Sequence, residues 1–364
     1  MLLAKRLVLL LTLTTLGLIP VWPQTLQLHF MDVGQGDGAV LISPGGEVVL
    51  FDDGVEHKCG KPLNYLQHLG LDHVDYHITS HYHNDHIGCI KEVLAEYPLT
   101  KAAYDRGGSY HTDLFDDYVT AVGSLRQTAT AGQKIKLDAT AQHPVTIEIV
   151  ALNGNGVVTS NENDLSLVAV IHYRNFDAVM GGDLSGFKAL DYKDIETSVA
   201  PKVGHVEVYK VNHHCSAYST NADWLGAIQP IIGIVSVGKK NTHEHPTQEC
   251  LERLHQAGVK TYWTEVGGGA QPEPDSDFVS GNVVVTTDGV AAFTVDTDDA
   301  GSHTYPIWGS STPAPTDTFL YAWSVDSTRY HYAQCRYVRQ ISPANLQQGS
   351  TPAQGKALHS GCPQ

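Results

Sequence analysis

The sequence predicts an α/β fold in which two β-sheets pack together with helices on both outer faces, a four-layer αββα sandwich. Three observations predict this class. Strand-like segments come first, helical segments then alternate with strands, and the same order recurs in the second half of the chain. The 364 residues, 42% of them hydrophobic, are enough for one large domain with a sizeable core and one small module.

The individual elements follow from apolar periodicity and from glycine-rich turns. The fourth predicted strand leads directly into the histidine-rich segment SHYHNDHIG. In the first half, the predicted elements are strands 26–31, 39–43, 48–52 and 74–80 and helices 62–69, 89–97 and 110–124. In the second half, they are a hairpin over 165–173 and 177–183, strands 206–216 and 231–238, helix 250–258 and a closing hairpin over 281–295.

The N-terminus has the pattern of a secretory signal peptide. Lys5 and Arg6 precede an apolar run, Leu7–Ile19, that ends just before a proline. We therefore expect a signal peptide over residues 1–24, with an uncleaved membrane anchor as the alternative. The expected location is secreted, periplasmic or at the cell surface, with no stable membrane insertion after cleavage.

Composition divides the rest of the chain into three parts. Residues 25–297 contain the elements of the main domain. Residues 298–318 are rich in Ser, Thr, Pro and Asp without periodicity, which predicts a linker, and residues 319–364 form a small separate unit.

Charge and cysteine content limit the partners and the compartment. The formal net charge of −16 does not attract phosphate backbones, so any nucleic-acid contact requires a local site or a metal. Six cysteines without a CxxC pair permit disulfides in an exported protein, with buried free thiols as the alternative. Of the possible disulfides, we expect Cys335–Cys362 before any other, because both residues lie in one short terminal segment.

Histidine and aspartate side chains recur at the C-terminal ends of apolar strands. Strand ends on one edge of a sheet converge in space, so these side chains are predicted to form one site. They are Asp52, His81, His83, Asp85, His86, Asp183, the pair His213 and His214, and His245 in the loop NTHEHP.

Imidazole and carboxylate groups in this number indicate two divalent metal ions, Zn²⁺ or Mn²⁺. His81 and His83 can reach one metal, Asp85 and His86 the neighbouring one, and Asp183 can bridge both. Two such metals hold a bridging hydroxide that is nucleophilic at neutral pH and favour displacement at phosphorus.

Several of these residues have other interpretations. Asp183 could be a turn aspartate, and His245 a structural histidine before Pro246. One of His213 and His214 is expected to be a ligand, while the other packs or bonds a phosphate. Asp52 is expected to orient a ligand rather than to bind metal itself.

The motifs resemble a known family. SHYHNDH fits the HxHxDH motif of the metallo-β-lactamase fold, and DVGQGDGAVLI, NDLSLV, GGD, KVNHHCS and SVGKKNTHEHP accompany it along the chain. Together they resemble the hydrolase domain of ComEC-type competence proteins over about residues 26–290. The resemblance implies the metal assignment above, with His213 favoured for the second metal. It also implies a stand-alone hydrolase, because the channel region of that family is absent.

Two departures from the family pattern bear on the site. Where relatives often supply a further histidine, this chain has Asn163 and Asp164, which we expect close to the ligands together with Asp37 and Asp52. Cys215 follows the paired histidines where the family often has glycine.

The terminal unit resembles a small Cys/His module appended to secreted nucleases. Aromatic and arginine side chains can stack on bases and hold phosphates, although a small domain with an aromatic core is the alternative. The residues predicted for such a contact are Arg329, Tyr330, His331, Arg336, Tyr337 and Arg339.

The predicted function is an exported binuclear metal-dependent hydrolase, a phosphodiesterase or nuclease acting on DNA or RNA, with Asp85, Asp183 and His245 as catalytic residues. One alternative keeps the metals but changes the substrate to a small phosphodiester, such as a phosphorylcholine ester, or to a β-lactam. Another is a non-catalytic surface protein that binds DNA or a cell-wall polymer.

Overall fold

The computed structural model describes residues 25–309, 321–332, 346–349, 354 and 356–358. The predicted signal peptide lies outside these residues, as do Cys335 and Cys362. The chain divides into two compact units after Gly309.

The first unit contains two large sheets. The nine-stranded sheet has the order β17-β16-β15-β1-β2-β3-β4-β5-β6. Its strands are β1 Leu26–Phe30, β2 Gly38–Ile42, β3 Val48–Asp53, β4 Val74–Ile78, β5 Leu99–Asp105, β6 Arg126–Thr128, β15 Val283–Thr287, β16 Ala292–Thr297 and β17 Ser302–Pro306. The closing hairpin β15–β16 pairs antiparallel with β1, which joins the two ends of this unit.

The eight-stranded sheet has the order β14-β13-β12-β11-β10-β9-β8-β7. Its strands are β7 Gln133–Leu137, β8 Val145–Ala151, β9 Val168–Tyr173, β10 Phe176–Met180, β11 Val208–Lys210, β12 Ile232–Val235, β13 Lys260–Trp263 and β14 Asp277–Val279. Strands β10 to β14 run parallel, so their C-terminal ends lie along one edge of the sheet.

In the part of the chain that the structure describes, six α-helices lie outside the sheets. They are α1 Gly60–His68, α2 Ile90–Glu96, α3 Asp113–Val122, α4 Glu196–Val203, α5 Ala222–Ile228 and α6 Gln248–Gln256. Leu66 of α1 and Val93 of α2 pack on the outer face of the nine-stranded sheet, while Val199 of α4 and Leu254 of α6 pack on the eight-stranded sheet.

The main core lies between the two sheets. Leu28 and Leu41 of the first sheet contact the same buried cluster as Ile147 and Ile171 of the second. Apolar side chains on the inner faces of two sheets leave water together, which is the dominant stabilising contribution in such a sandwich. The predicted four-layer αββα fold is therefore confirmed.

The boundary of the first unit differs from the sequence prediction. A linker is predicted from residue 298, but Ser302–Pro306 forms β17, which pairs antiparallel with β16. The Tyr305 hydroxyl lies 2.7 Å from that of Tyr262, and Ile307 is buried in the core. These contacts make the segment part of the sheet despite its polar composition.

The second unit is described only in part. Its strands are β18 Tyr321–Ser324, β19 Arg329–Tyr332, β20 Leu346–Gly349 and β21 Ala357–Leu358, in the order β20-β18-β19-β21. Across the described parts of the whole chain, none of the helices combines the length and apolar character that a bilayer crossing requires.

Candidate metal centre

The histidine-rich segment lies in the loop between β4 and α2. Within it, His81 Nε2 lies 3.0 Å from His83 Nδ1, and the two rings meet edge to face at 78°. With Asp183 they form a group of three whose polar atoms lie within 4.8 Å of one another. His81 and Asp183 are buried, and His83 is partly exposed.

A second group lies beside the first. His86 Nε2 is 3.3 Å from Asp183 Oδ1 and 3.9 Å from Asp85 Oδ1. His214 Nε2 is 3.4 Å from Asp183 Oδ1 and 3.3 Å from Asp85 Oδ2. Four side chains from three separate segments therefore direct one nitrogen or oxygen each at a common point.

Asp183 belongs to both groups because its two oxygens face different neighbours. Oδ1 lies near His86 and His214, whereas Oδ2 lies 3.9 Å from His81 Nε2. The residue follows β10, and the preceding Gly182 has φ +55°. A Cβ atom at Gly182 would lie 2.6 Å from Ser80 Cβ, so glycine lets these two loops approach closely.

Unpartnered polar atoms show that the second group fits a divalent cation. His86 Nε2, His214 Nε2 and Asp183 Oδ1 are buried and have no hydrogen-bond partner among the described residues. Buried polar atoms normally have a partner, and histidine nitrogens with carboxylate oxygens are a ligand set for Zn²⁺ or Mn²⁺. The residues present therefore fit a metal ion.

The charges around His86 and His214 also favour a bound cation. Burial opposes a charged His214, but the carboxylates of Asp183 and Asp37 outweigh it and raise the pKa of His214 to about 10. The pKa of His86 is likewise raised well above its usual range, since Asp183 and Asp85 outweigh its burial. The site has excess negative charge that either protons or cations can neutralise.

Asp52 contacts the back of His86. Its Oδ2 lies 2.8 Å from His86 Nδ1 and accepts a hydrogen bond from Ser80 Oγ at 2.7 Å. Its Oδ1 accepts the Ser80 backbone N–H at 2.8 Å. A carboxylate in this position fixes the ring orientation and leaves Nε2 free to face the site.

Asp37 contacts the back of His214. Its Oδ1 lies 3.3 Å from His214 Nδ1, and its Oδ2 lies 2.5 Å from Lys210 Nζ. The loop DVGQGDG reaches this place because Gly36 has no side chain. A Cβ atom there would lie 2.4 Å from the carbonyl oxygen of Asp85, whose backbone the loop contacts.

The two neighbouring histidines occupy different positions. The family resemblance favours His213 for the second group, whereas in the structure His214 belongs to that group. His213 Nε2 lies on the side of the first group, 3.7 Å from Asp183 Oδ2 and 3.3 Å from Asn163 Nδ2. Because both residues have left-handed φ, the two rings do not follow the alternation of an extended strand.

Asp164 and His245 complete the set of predicted residues in the first unit. Asp164 Oδ2 accepts hydrogen bonds from Thr159 Oγ1 and the Lys193 N–H, and it belongs to neither metal-ligand group. The His245 ring lies 5.5 Å from that of His213, centroid to centroid. Burial, reinforced by the neighbouring histidines, lowers the pKa of His245 to about 3, so its ring is neutral at pH 7.

The residues predicted to contact nucleic acid are described only in part. Arg329, Tyr330 and His331 lie in β19, with Arg329 exposed and Tyr330 partly buried. Arg336, Tyr337 and Arg339 lie outside the described residues.

Sequence reasoning missed several contributors to the site. Lys210 contacts Asp37 and Ser80 contacts Asp52, the aspartates behind the histidines. In the sequence, the signal for Lys210 is a lysine inside an apolar strand, at the start of the motif KVNHHCS. Tyr192 stacks on Tyr218 with 5.0 Å between ring centroids and lies 5.7 Å from the His213 ring. These tyrosines come from two loops without a motif.

Several known proteins are similar to this chain. A family model described as the Metallo-beta-lactamase superfamily matches residues 34–187. The chain is 28% identical over 258 residues to Recombination protein 2 of Haemophilus influenzae, covering 68% of this chain and 28% of that protein. It is 22% identical over 262 residues to ComE operon protein 3 of Bacillus subtilis, covering 67% of this chain and 32% of that protein.

The matched region spans less than a third of the length of either relative. Among solved structures, the metallo-beta-lactamase fold protein YhfI of Bacillus subtilis is 14% identical with a TM-score of 0.43, covering 72% of this chain and all of that one. The resemblance to ComEC-type proteins of the metallo-β-lactamase fold, predicted from the motifs, is confirmed by the family and sequence matches.

Proposed function

We infer that this chain, a member of the metallo-β-lactamase superfamily related to the ComEC-type competence proteins, is a hydrolase that cleaves phosphodiester bonds with two divalent cations. The single observation behind the inference is the position of Asp183, whose two oxygens face two adjacent ligand groups. A carboxylate shared in this way is typical of binuclear hydrolytic sites.

The residues fall into distinct roles. His81, His83 and Asp183 would hold one cation, and Asp85, His86, His214 and Asp183 the other, with His213 on the side of the first. When bound, the cations supply an acidified water and neutralise the charge of a phosphate group. Asp52 orients His86 from behind, and the Ser236 carbonyl oxygen, 2.8 Å from His214 Nδ1, orients His214 with Asp37 beside it.

His245 is suited to hold the substrate. Its neutral ring lies beside His213 and stacks on His214, with 6.0 Å between those two centroids. A neutral imidazole can donate one hydrogen bond to a phosphoryl oxygen without adding a charge that repels the cations. It is therefore the group we assign to orienting the phosphodiester.

Nucleic acid is the substrate that we propose. The stacked pair Tyr192 and Tyr218 lies beside His213 and is partly exposed, so that a base next to the scissile phosphate can stack there. Relatives with names from recombination and the ComE operon support this choice. The net charge of −16 favours recognition by the local site rather than by a broad basic surface.

Export is part of the same proposal. Two disulfides, Cys59–Cys89 and Cys215–Cys250, lie in the first unit, and such bonds persist in oxidising compartments. Together with the basic and apolar pattern of residues 1–24, they support a location outside the cytoplasm.

A substrate panel tests the function. Purified protein is incubated with single-stranded DNA, double-stranded DNA, RNA and bis(p-nitrophenyl) phosphate, each with Mn²⁺ or Zn²⁺, with and without EDTA. We expect chelator-sensitive cleavage of the nucleic acids and of the chromogenic diester, and none by an Asp183→Ala variant. Turnover of nitrocefin alone would instead support a β-lactamase, and absence of hydrolysis of all substrates would refute the proposal.

A further inference from the structure

The loop that contains His213 and His214 has an unusual backbone. His213, His214 and Cys215 have φ values of +49°, +51° and +62°, so three successive non-glycine residues are left-handed. In this region Cβ crowds the following carbonyl oxygen, and non-glycine residues normally enter it one at a time. The surrounding structure must therefore hold the loop in this conformation.

This backbone determines where the two imidazoles point. His214 Nε2 reaches Asp85 Oδ2 at 3.3 Å, while His213 Nε2 reaches Asp183 Oδ2 at 3.7 Å. The two rings are adjacent in sequence, yet they lie on opposite sides of Asp183. If Cys215 returned to negative φ, the chain direction after His214 would change and the two rings would lose these positions.

Cys215 is held from the outer helix layer. Its side chain is bonded to Cys250 in the first turn of α6, and both residues are fully buried. Its carbonyl oxygen accepts the Thr247 N–H at 2.9 Å. The same Thr247 accepts a hydrogen bond from the Cys250 N–H and so caps α6, which makes the disulfide and the helix start one unit.

We propose that the Cys215–Cys250 disulfide is a positioning element of the metal centre: it holds Cys215 in a conformation that its own Cβ disfavours and thereby keeps His213 and His214 directed at Asp183. The inference rests on the metal binding assumed in the proposed function. Cys215 is a positioning residue because it acts through the two histidines.

The other disulfide provides a matched control. Cys59–Cys89 closes a loop of similar size, with a sequence separation of 30 against 35, so its removal affects the unfolded chain to a similar extent. Cys89 has φ −118°, an ordinary value. The neighbouring ligand loop is held by backbone hydrogen bonds, including Asp53 N–H to the His86 carbonyl and Gly88 N–H to the Gly54 carbonyl.

The experiment compares Zn²⁺ affinity and stoichiometry, by competition with a chromogenic chelator, in four oxidised proteins. These are the parent, C215A/C250A, C215G/C250A and C59A/C89A. We expect at least a tenfold loss of affinity in C215A/C250A, because alanine keeps the Cβ. C215G/C250A is expected to stay within about threefold of the parent, because glycine adopts this φ without a steric penalty. C59A/C89A is expected to lower thermal stability and leave affinity unchanged.

Each outcome decides the proposal. Parental affinity in C215A/C250A, or affinity in C215G/C250A as low as in C215A/C250A, would overturn it. Circular dichroism shows whether each variant folds. If C215A/C250A does not fold while C215G/C250A folds and binds Zn²⁺, the proposal is supported. If neither variant folds, the proposal is overturned. A parent that binds no Zn²⁺ or Mn²⁺ would instead refute the proposed function.

Discussion

Lys210 Nζ lies 2.5 Å from Asp37 Oδ2 in the interior of the protein, where each residue is at most 5% exposed. Burial would raise the pKa of Asp37, but Lys210 and His214 outweigh it and lower that pKa. These two neighbours thus keep a buried carboxylate ionised behind His214, a residue of the candidate metal centre. This pair links the loop DVGQGDG to the strand that precedes His213 and His214.

Replacing Lys210 should lower the free energy of unfolding. Lys210→Met removes the closest cation from the buried Asp37 and leaves His214 as its remaining charged partner, so we expect a loss of stability below the about 3–5 kcal/mol typical of breaking a buried pair completely. Chemical denaturation of the metal-free protein measures this loss. The double variant D37N/K210M removes both charges, so it should recover more than half of the difference. Equal instability of the single and double variants would show that Asp37 and Lys210 are not coupled.

Asp52 should determine metal affinity without binding metal. Asp52→Asn weakens the contact that orients His86, and we expect Zn²⁺ affinity to fall by about 10- to 100-fold. Asp277→Asn is the matched control, because Asp277 Oδ1 lies 2.9 Å from His255 Nε2 in a carboxylate–histidine pair that is not part of either metal group. Chelator competition on both variants tests the role, and equal affinities for the two would contradict it.

Metal affinity should rise with pH. The pKa of His214 is raised to about 10 in the folded metal-free protein, against 6.5 for an ordinary histidine, so a cation must displace a proton at neutral pH. Between pH 7 and 9 we expect apparent affinity to increase by up to about tenfold per unit for each released proton, and His86, whose pKa is also raised, releases one as well as His214. Calorimetry in buffers of different ionisation enthalpy counts the released protons. An affinity independent of pH would contradict the assignment.

The same raised pKa affects the stability of the metal-free protein with the opposite sign. A proton bound more tightly in the folded state stabilises it fully below pH 6.5, and this contribution is lost as pH rises through about 10. Metal-free protein should therefore lose thermal stability on the alkaline side, while protein loaded with Zn²⁺ should not. Thermal melts from pH 6 to 10 with and without metal distinguish the two.

His213 and His214 should differ in metal stoichiometry. His214→Ala removes a ligand of the second group and should reduce bound metal from about two ions to one per chain. His213→Ala should keep two ions at saturating metal, with weaker binding, because Asp183, His81 and His83 remain on that side. Metal analysis after equilibrium dialysis measures both. Loss of one ion in His213→Ala and retention of two in His214→Ala would instead support His213 as the ligand of the second group, as the family resemblance implies.

Local motifs made most of the site predictable. The residues of SHYHNDHIG are close in sequence, so their proximity in the fold required no tertiary information. Asp183 was predicted from its place after a strand, because parallel strands end at one edge of a sheet. The four-layer fold followed from the order of apolar segments in the same way.

Features that depend on distant contacts were not predictable. His214, rather than His213, belongs to the second group because the backbone at both residues is left-handed. No residue type in NHHC predicts that conformation. The pairings Cys59–Cys89 and Cys215–Cys250 depend on how helices dock on the sheets. Strand β17 appeared in a segment with linker-like composition because Tyr305 and Ile307 pack on the core.

A metal titration of activity tests the central claim most directly. Metal-free protein and an Asp183→Asn variant are titrated with Mn²⁺ while hydrolysis of bis(p-nitrophenyl) phosphate is followed. We predict that activity of the parent rises until about two ions are bound per chain, and that the variant stays at least 100-fold less active at saturating metal. Full activity with one ion bound, or parental activity in the variant, would contradict a binuclear site joined by Asp183.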